Sequence, residues 1–369
     1  MSGVATAPGS LAHAVRGVFV GLRDEVRELD LRGARARQSA MTTLAVAVAV
    51  TVALEVRVDA PWWAAISAFA SIRTTAPASL QRGALRIVGT AIGAIIGFVL
   101  SPWLIEDQVA LSLMLLLVAT LGVLGLQVSR HGYAWLLGAV TTVMVLLAAL
   151  SDPLSTFSIA CNRTAEVTIG TVAAMMVALT LAPDTETAPA PTTAPGWSDL
   201  LGAQWPSVQH ALRAGVAVML VPLVWSWLQL PNLAQTAVTA AAVMAVPTLS
   251  LDDAANQQSI TERAMHRLLG CLLGGIAGLA CLMLSIENFL PWLATLTAAI
   301  WISAHVQGSR RGIGYVGTQG AVVFISTMVQ GWGPPTSIMP GIDRFAGITG
   351  GLLILLAVSW LTAPSPPRS

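Results

Sequence analysis

The feature that most constrains this chain is an arginine and glycine pattern that occurs twice. Arg86 precedes three glycines spaced four residues apart, and Arg267 precedes a second set at the same spacing. Residues four apart lie on one face of a helix, so each set forms a stripe along which a second helix can approach closely within a membrane. The stripes comprise Gly89, Gly93 and Gly97 in the first set and Gly270, Gly274 and Gly278 in the second.

The composition is that of a polytopic membrane protein. Apolar residues make up 55% of the chain and charged residues 10%, and long apolar segments are separated by short polar or Pro/Gly joints. Only helices and closed barrels span lipid, and these segments lack the alternation of barrel strands. We therefore expect an all-α protein with about 12 transmembrane helices. Its expected partner is the lipid bilayer, and no nucleic-acid partner is expected at a formal net charge of +1.

The predicted spans divide the chain into two membrane halves. Before them lies a basic amphipathic helix, which is expected either on an anionic membrane surface or as a solvated leader that sets orientation. A segment rich in Pro and Thr between the halves is a predicted flexible linker. The predicted regions are the helix at 1–40, the first half at 41–182, the linker at 183–206, the second half at 207–362 and a tail at 363–369. The twelve spans are predicted near 41–57, 61–78, 85–104, 109–128, 133–150, 163–182, 212–230, 232–249, 267–285, 290–306, 312–330 and 343–362.

The internal repeat extends beyond the glycine stripes. The displacement along the chain that relates Arg86 to Arg267 also relates Arg163 to Arg344, and nearly the same displacement relates Arg130 to Arg310. Because each half has an even number of spans, both halves have the same orientation. The repeat therefore predicts a pseudo-two-fold axis along the membrane normal. Arginine-rich joints all fall on one side, which places both termini and the linker in the cytoplasm by the positive-inside rule.

Five arginines are candidates for binding or conducting an anion. Arg86 and Arg267 stand at the cytoplasmic mouths of the glycine-striped helices, where they supply either a cationic vestibule or a topology signal. Arg73, which aligns with Val243 in the second half, lies near the same side. Arg163 and Arg344 recur on the acidic side, where orientation alone does not require arginine, although both could snorkel to headgroups. The five candidates are Arg73, Arg86, Arg163, Arg267 and Arg344.

Two carboxylates adjoin these arginines. Glu166 lies one helical turn after Arg163 and can either neutralise it or couple transport to protons. Asp343, which precedes Arg344, is the second candidate for proton coupling. The sequence contains no Walker loop, no nucleotide-binding glycine motif and no metal-binding cluster among its three cysteines and five histidines. We therefore expect no enzyme activity, no cofactor and no metal.

The first repeat resembles a known transporter family. Arg82-x-x-x-Arg86-x-x-Gly89-Thr90, preceded by a span that begins Pro61-Trp62-Trp63, is similar to the fusaric acid resistance family of aromatic acid exporters. The resemblance implies efflux of aromatic carboxylic acids across the bacterial inner membrane, driven by ion gradients and often assisted by a periplasmic adaptor protein. By similarity to related plant malate channels, it also implies a shared path faced by Arg86, Arg163, Arg267 and Arg344.

These observations predict a twelve-span secondary exporter for small organic anions, with aromatic carboxylates as the expected substrates. Two alternatives remain open at the level of sequence. A passive anion channel could use the same scaffold, and its flux would follow only the anion's own electrochemical gradient. A membrane scaffold without transport activity would not depend on Arg163 and Arg344.

Overall fold

The computed structural model describes residues 8–28, 31–183, 205–228, 253–284, 286–334, 337 and 339–361. The described residues form α-helices. Among them, Gln330 and Gly333 form an isolated antiparallel β-bridge. The helices are α1 (Pro8–Arg27), α2 (Ala34–Glu55), α3 (Pro61–Ser71), α4 (Ala76–Leu104), α5 (Gln108–Val128), α6 (Gly132–Ser151), α7 (Thr156–Leu181), α8 (Trp205–Leu228), α9 (Asp253–Leu282), α10 (Phe289–Gln307), α11 (Gly314–Met328) and α12 (Met339–Leu361). A 3-10 turn at Pro153–Ser155 precedes α7.

Eight of these helices are long and apolar enough to cross a membrane, so the chain is a multi-pass membrane protein. They are α2, α4, α5, α6, α7, α8, α9 and α10. Two predicted spans are shorter than expected: the span at 61–78 contains only the 11 residues of α3, and the span at 312–330 contains the 15 residues of α11. The predicted span at 232–249, most of the linker and the tail lie outside the described residues, and α12 covers the span near 343–362.

Helix α4 begins earlier than the sequence predicted, because a polar side chain caps an earlier residue. Thr75 accepts a hydrogen bond from the backbone N–H of Ala78, so α4 begins at Ala76. Arg86 therefore lies about 15 Å inside the helix and not at its mouth. The hydroxyl of Ser79 accepts from the backbone N–H of Arg73 at 2.8 Å, which fixes the turn between α3 and α4.

The glycine stripes bring pairs of helices into backbone contact. α4 packs against α6, and α9 packs against α11. A Cβ added to Gly93 would overlap the carbonyl group of Gly138, and one added to Gly274 would overlap that of Gly320. Thr142 crosses the first contact and donates a 3.0 Å hydrogen bond to the carbonyl oxygen of Gly93. The other stripe positions have similar contacts: Gly89 with Ala134, Gly97 with Val145, Gly270 with Val316, and Gly278 with Thr327.

Helix pairs in the first part of the chain have counterparts in the second. These pairs are α4–α6 with α9–α11, α5–α6 with α10–α11, α4–α7 with α9–α12, and α2–α7 with α8–α12. The two most extensive contacts between the parts are those of α5 with α8 and of α2 with α10. The buried side chains form two large apolar clusters, one around α5, α6 and α8 and the other around α2, α3, α7 and α10.

Helix α1 packs on the protein as well as presenting an exposed side. Val18 is 2% exposed and lies in an apolar cluster with Leu269 of α9, Ile313 and Val316. Phe19 remains half exposed. The sequence favoured a helix on the membrane surface or in solvent over residues 11–38, but α1 ends at Arg27 and residues 34–38 belong to α2. The apolar face of α1 packs against α9 and α11 instead.

Charged side chains hold the C-terminal end of α1 to the turn between α10 and α11. Glu25 is 4% exposed, pairs with Arg35 and Arg311, and accepts a hydrogen bond from the Ser309 hydroxyl. Burial alone would raise the pKa of Glu25, but the hydrogen bonds from Ser309 and Arg35 and the charges of Arg35 and Arg311 outweigh burial and hold the pKa below its usual 4.5. The ionised form of Glu25 therefore stabilises the docked helix.

Neighbouring glycines on α9 provide a matched test of the helix contact. We expect Gly274→Ala to destabilise the protein by about 1–3 kcal/mol, because the added methyl group overlaps the Gly320 backbone. Gly275→Ala should be neutral or slightly stabilising, because its Cβ would lie 3.6 Å from Val323 Cγ1 and alanine is the better helix former. Thermal unfolding in detergent compares the variants, and equal unfolding temperatures would contradict the proposed contact.

The Glu25 contacts predict that α1 docking depends on pH. Because the pKa of Glu25 is lower in the folded state, its stabilisation is complete above about pH 4.5 and is lost as pH falls through the lower folded pKa. The distance between spin labels at Val20 and Arg310, both exposed, should therefore increase when the pH is lowered from about 6 to about 3. Glu25→Gln should be undocked at both values, whereas the control Glu28→Gln changes a mostly exposed partner and should dock at the higher pH. If the label distance in Glu25→Gln equals that of the wild type at the higher pH, Glu25 does not hold α1 in its docked position.

Candidate functional site

Two arginines of α4 converge on one tyrosine of α6. Arg86 Nη1 donates a 2.6 Å hydrogen bond to the hydroxyl oxygen of Tyr133. The guanidinium carbon of Arg82 lies 3.8 Å from the centre of the Tyr133 ring, and its Nε donates to the carbonyl oxygen of Ala70 at 2.9 Å. The Tyr133 side chain thus makes a cation–π contact with Arg82 and a charge-assisted hydrogen bond with Arg86. We call Arg73, Arg82, Arg86 and Tyr133 the first cluster.

Arg73 adds a third positive charge to the first cluster. It lies in the turn between α3 and α4, outside the membrane-spanning helices, and its charge interacts with that of Arg82. Burial, and then repulsion from Arg82, lower the pKa of Arg73 to about 10, so it remains protonated at neutral pH. Within the described ranges, none of the three arginines of this cluster forms an ion pair with a carboxylate. The cluster therefore holds uncompensated positive charge.

Exposure decreases from the entrance of the first cluster to its interior. Arg73 and Arg82 are partly exposed, whereas Arg86 is 7% exposed. The Nε of Arg86 is buried and has no hydrogen-bond partner in the part of the chain that the structure describes. One helical turn deeper, the buried hydroxyl of Thr90 also lacks a described partner. Buried donors usually have partners, so these two atoms are donors that an anion entering the cluster can use.

A second cluster occupies the equivalent position between α9 and α11. The guanidinium carbon of Arg263 lies 4.1 Å from the centre of the Tyr315 ring, and Arg267 Nη1 lies 3.4 Å from the Tyr315 hydroxyl. Arg267 Nη1 also donates a 2.8 Å hydrogen bond to the side-chain oxygen of Gln319. Arg263, Arg267, Tyr315 and Gln319 form what we call the second cluster.

Arg163 and Glu166 form a separate buried pair on α7. Arg163 Nη1 lies 3.2 Å from Glu166 Oε2, and the Arg163 guanidinium carbon lies 4.1 Å from the Trp63 ring centre. Glu166 is 1% exposed, and its Oε1 accepts a 2.8 Å hydrogen bond from the backbone N–H of Ala60. This places a carboxylate at the N-terminus of α3, where the helix dipole favours negative charge. The pair lies about 10 Å inside α7, because that helix begins at Thr156.

The structure thus places the predicted arginines beside different aromatic residues. Arg73 and Arg86 come together around Tyr133, Arg163 lies on Trp63, and Arg267 lies beside Tyr315. The prediction that four arginines face one shared path stays a prediction, because the side chain of Arg344 lies outside the described part of the chain. Asp343 is half-buried in α12.

An apolar cavity lies between α4, α5 and α6, and its lining begins within one helical turn of Arg86. Its volume is about 410 Å³, within the range of small-molecule sites. Gly89, which follows Arg86 by less than one turn, lines the cavity, and so does Ala134 beside Tyr133. Trp135 forms another part of the wall.

Sequence reasoning did not identify the tyrosines as partners of the arginines. The signal was present, because Tyr133 and Tyr315 are the only two tyrosines in the chain, and each follows an arginine-containing joint. The separation between the tyrosines is slightly larger than that between the matched arginines, which obscured the correspondence. Gln319 was missed for a different reason, since its counterpart in the first half is apolar.

No solved structure matches this chain closely enough to be a relative. Sequence relatives include the p-hydroxybenzoic acid efflux pump subunit AaeB of Escherichia coli (strain K12), which is 29% identical over 154 residues. The same subunit of Shigella boydii serotype 18 (strain CDC 3083-94 / BS512) is 29% identical over 156 residues. Both alignments cover 38% of this chain and 23% of the relative, so the chain matches less than a quarter of the length of these relatives.

Residues 35–201 match the fusaric acid resistance protein family. The matched segment contains α2 to α7, and with them the first cluster, its apolar cavity and the Arg163–Glu166 pair. The second cluster lies outside it. Through residues 35–201, the chain is similar to the fusaric acid resistance protein family.

Proposed function

We propose that this protein is an inner-membrane secondary transporter that exports aromatic carboxylic acids, and that the first cluster binds the carboxylate. The supporting observation is the uncompensated charge of three arginines around Tyr133. We further propose twelve membrane segments in two homologous halves, a pseudo-two-fold axis along the membrane normal, and cytoplasmic termini. The equivalent helix pairs and the recurrence of the arginine–tyrosine contact support the duplication.

The chemistry of the first cluster favours an anion over a neutral or cationic ligand. Like charges held close together in a partly buried site repel each other, and a carboxylate relieves that repulsion. Arginine and the tyrosine hydroxyl both donate hydrogen bonds to carboxylate oxygens, and bonds to charged groups are stronger than neutral ones. Arg73 and Arg82 draw the anion towards the interior, and Arg86 Nε and Thr90 provide donors that it can use.

The aromatic part of the substrate is inferred from the relatives and the cavity. The relatives are named as subunits of a p-hydroxybenzoic acid efflux pump. An apolar cavity of about 410 Å³ beside the cluster offers space for a ring, with Trp135 in its wall. A small organic anion that combines a carboxylate with a ring can use both features. A periplasmic adaptor protein is a proposed partner, because the relatives are subunits of a pump.

Arg163 and Glu166 receive a supporting role in this proposal. Their mutual neutralisation leaves little free charge for an anion, and the bond to Ala60 fixes the start of α3. The first cluster includes Arg82, whose Nε bonds to Ala70 near the other end of α3. The pair and the cluster thus fix opposite ends of the same short helix. Proton coupling by Glu166 or Asp343 and anion conduction past Arg163, Arg267 and Arg344 stay predictions.

Transport measurements in everted membrane vesicles test the function. Labelled p-hydroxybenzoate should accumulate when a proton gradient is imposed, and Arg86→Gln should reduce the initial rate at least tenfold. The reason is the loss of a charge-assisted bond worth about 1.5–3 kcal/mol. Arg130→Gln is the matched control, because that arginine is exposed and should leave the rate unchanged.

Three results would overturn parts of this function. An aliphatic carboxylate carried as fast as p-hydroxybenzoate would remove the aromatic preference. Flux that ignores the proton gradient and follows only the anion's electrochemical gradient would show a channel. No carboxylate flux in vesicles that contain folded protein would support the scaffold alternative.

A charge-removal series tests the role of the α7 pair. Glu166→Ala should destabilise the protein by about 3–5 kcal/mol, because Arg163 is left buried without its counter-charge. Arg163→Met/Glu166→Leu should recover most of that loss, because no unpaired charge remains. Denaturation monitored by tryptophan fluorescence provides the comparison. A Glu166→Ala protein as stable as the wild type would show that the pair has no structural role.

A further inference from the structure

The second cluster contains an internal acceptor that the first cluster lacks. Gln319 lies four residues after Tyr315 on α11, so both side chains are on the same face of the helix. Its side-chain oxygen accepts a 2.8 Å hydrogen bond from Arg267 Nη1, and both residues are 5% exposed. The Gln319 oxygen therefore occupies a position beside a buried guanidinium that a carboxylate oxygen could otherwise occupy.

The corresponding position in the first cluster is Leu137, which follows Tyr133 by four residues on α6. The displacement that relates Tyr133 to Tyr315 also relates Gly138 to Gly320, and these two glycines make equivalent backbone contacts. Leucine has no polar atom, so it cannot accept a hydrogen bond from Arg86. Within the described ranges, the side-chain hydrogen bond of the Arg86 guanidinium is the one to the Tyr133 hydroxyl.

Two other positions also differ in chemistry between the two clusters. Thr90, with its unpartnered hydroxyl in the described part of the chain, corresponds to Cys271, whose sulfur lies 3.9 Å from Gln319 Oε1. No arginine lies between Arg213 and Arg263 in the sequence, so the second half has no counterpart of Arg73. The first difference removes an internal acceptor from the first half, and the other two give it a stronger hydroxyl donor and a further positive charge. A site that had to bind the same anion in both halves would not be expected to diverge at each of them.

We propose that the transported anion binds at the first cluster only, and that Gln319 fills the second cluster as an internal substitute for the anion's carboxylate. This inference rests on the proposed function and specifies which half performs it. An anion entering the second cluster would have to replace the 2.8 Å bond between Gln319 and Arg267, and would leave the buried amide oxygen with the weak thiol donor of Cys271, which is unfavourable. The second half then acts mainly as a scaffold that completes the membrane fold around the first.

Calorimetric titration of the purified full-length protein with p-hydroxybenzoate tests the inference. Wild-type protein should bind one anion per chain. Leu137→Gln should weaken binding at least tenfold, because the new amide oxygen accepts from Arg86 as Gln319 does from Arg267. Leu137→Met is the matched control, since it retains an apolar side chain of similar size and should bind like the wild type. Gln319→Leu should leave the affinity of the first site within threefold.

The Arg86→Gln variant keeps the test decisive if Leu137→Gln does not fold. It should weaken binding at least tenfold at every site that the titration detects, whereas two equivalent sites would leave half of the stoichiometry at the wild-type affinity. Two anions per wild-type chain, unchanged affinity in a folded Leu137→Gln protein, or loss of binding in Gln319→Leu would overturn the single-site inference while the anion-binding function stands. Failure of the wild type to bind any carboxylate would overturn the proposed function itself, and the inference with it.

Discussion

The backbone contact between α4 and α6 is the constraint on which the rest of the site depends. Gly89 and Gly93 allow α4 to reach the backbone of α6 at Ala134 and Gly138, and any larger side chain would separate the helices. That short separation lets Arg86 reach the Tyr133 hydroxyl from the neighbouring helix. In lipid, such packing replaces the hydrophobic effect as the main attraction between helices. The same contact recurs between α9 and α11, where it brings Arg267 to Tyr315.

Sequence alone predicted the class of fold and the helices that carry charge. Long apolar segments indicated membrane helices because lipid requires every backbone group to be paired internally, and this constraint does not depend on tertiary detail. The glycine stripes were recognised because four-residue spacing has a direct geometric meaning on a helix. Helix starts were less predictable. A single cap at Thr75 extended α4 towards its N-terminus and moved Arg86 from the helix mouth to its interior.

The partners of the charged residues could not be predicted because they come from distant parts of the chain. Glu166 bonds to Ala60 across 106 residues of sequence, and Glu25 meets the Ser309 hydroxyl across 284. Apolar periodicity in α1 was equally compatible with a membrane surface, with solvent exposure and with packing on the protein. Only the tertiary fold shows that Val18 is buried against α9 and α11. Side-chain periodicity identifies an apolar face that must be buried, but it does not identify the element or surface that buries it.

The central claim is that the first cluster recognises an organic anion through its uncompensated arginines. An experimental structure with bound 4-iodobenzoate tests this claim most directly, because the iodine atom marks the ring and the carboxylate marks the charge. We expect carboxylate oxygens within hydrogen-bond distance of Arg86 and the iodine in the apolar cavity beside Trp135. An anion seated between Arg163 and Trp63, or in the second cluster, with the first cluster empty, would contradict it.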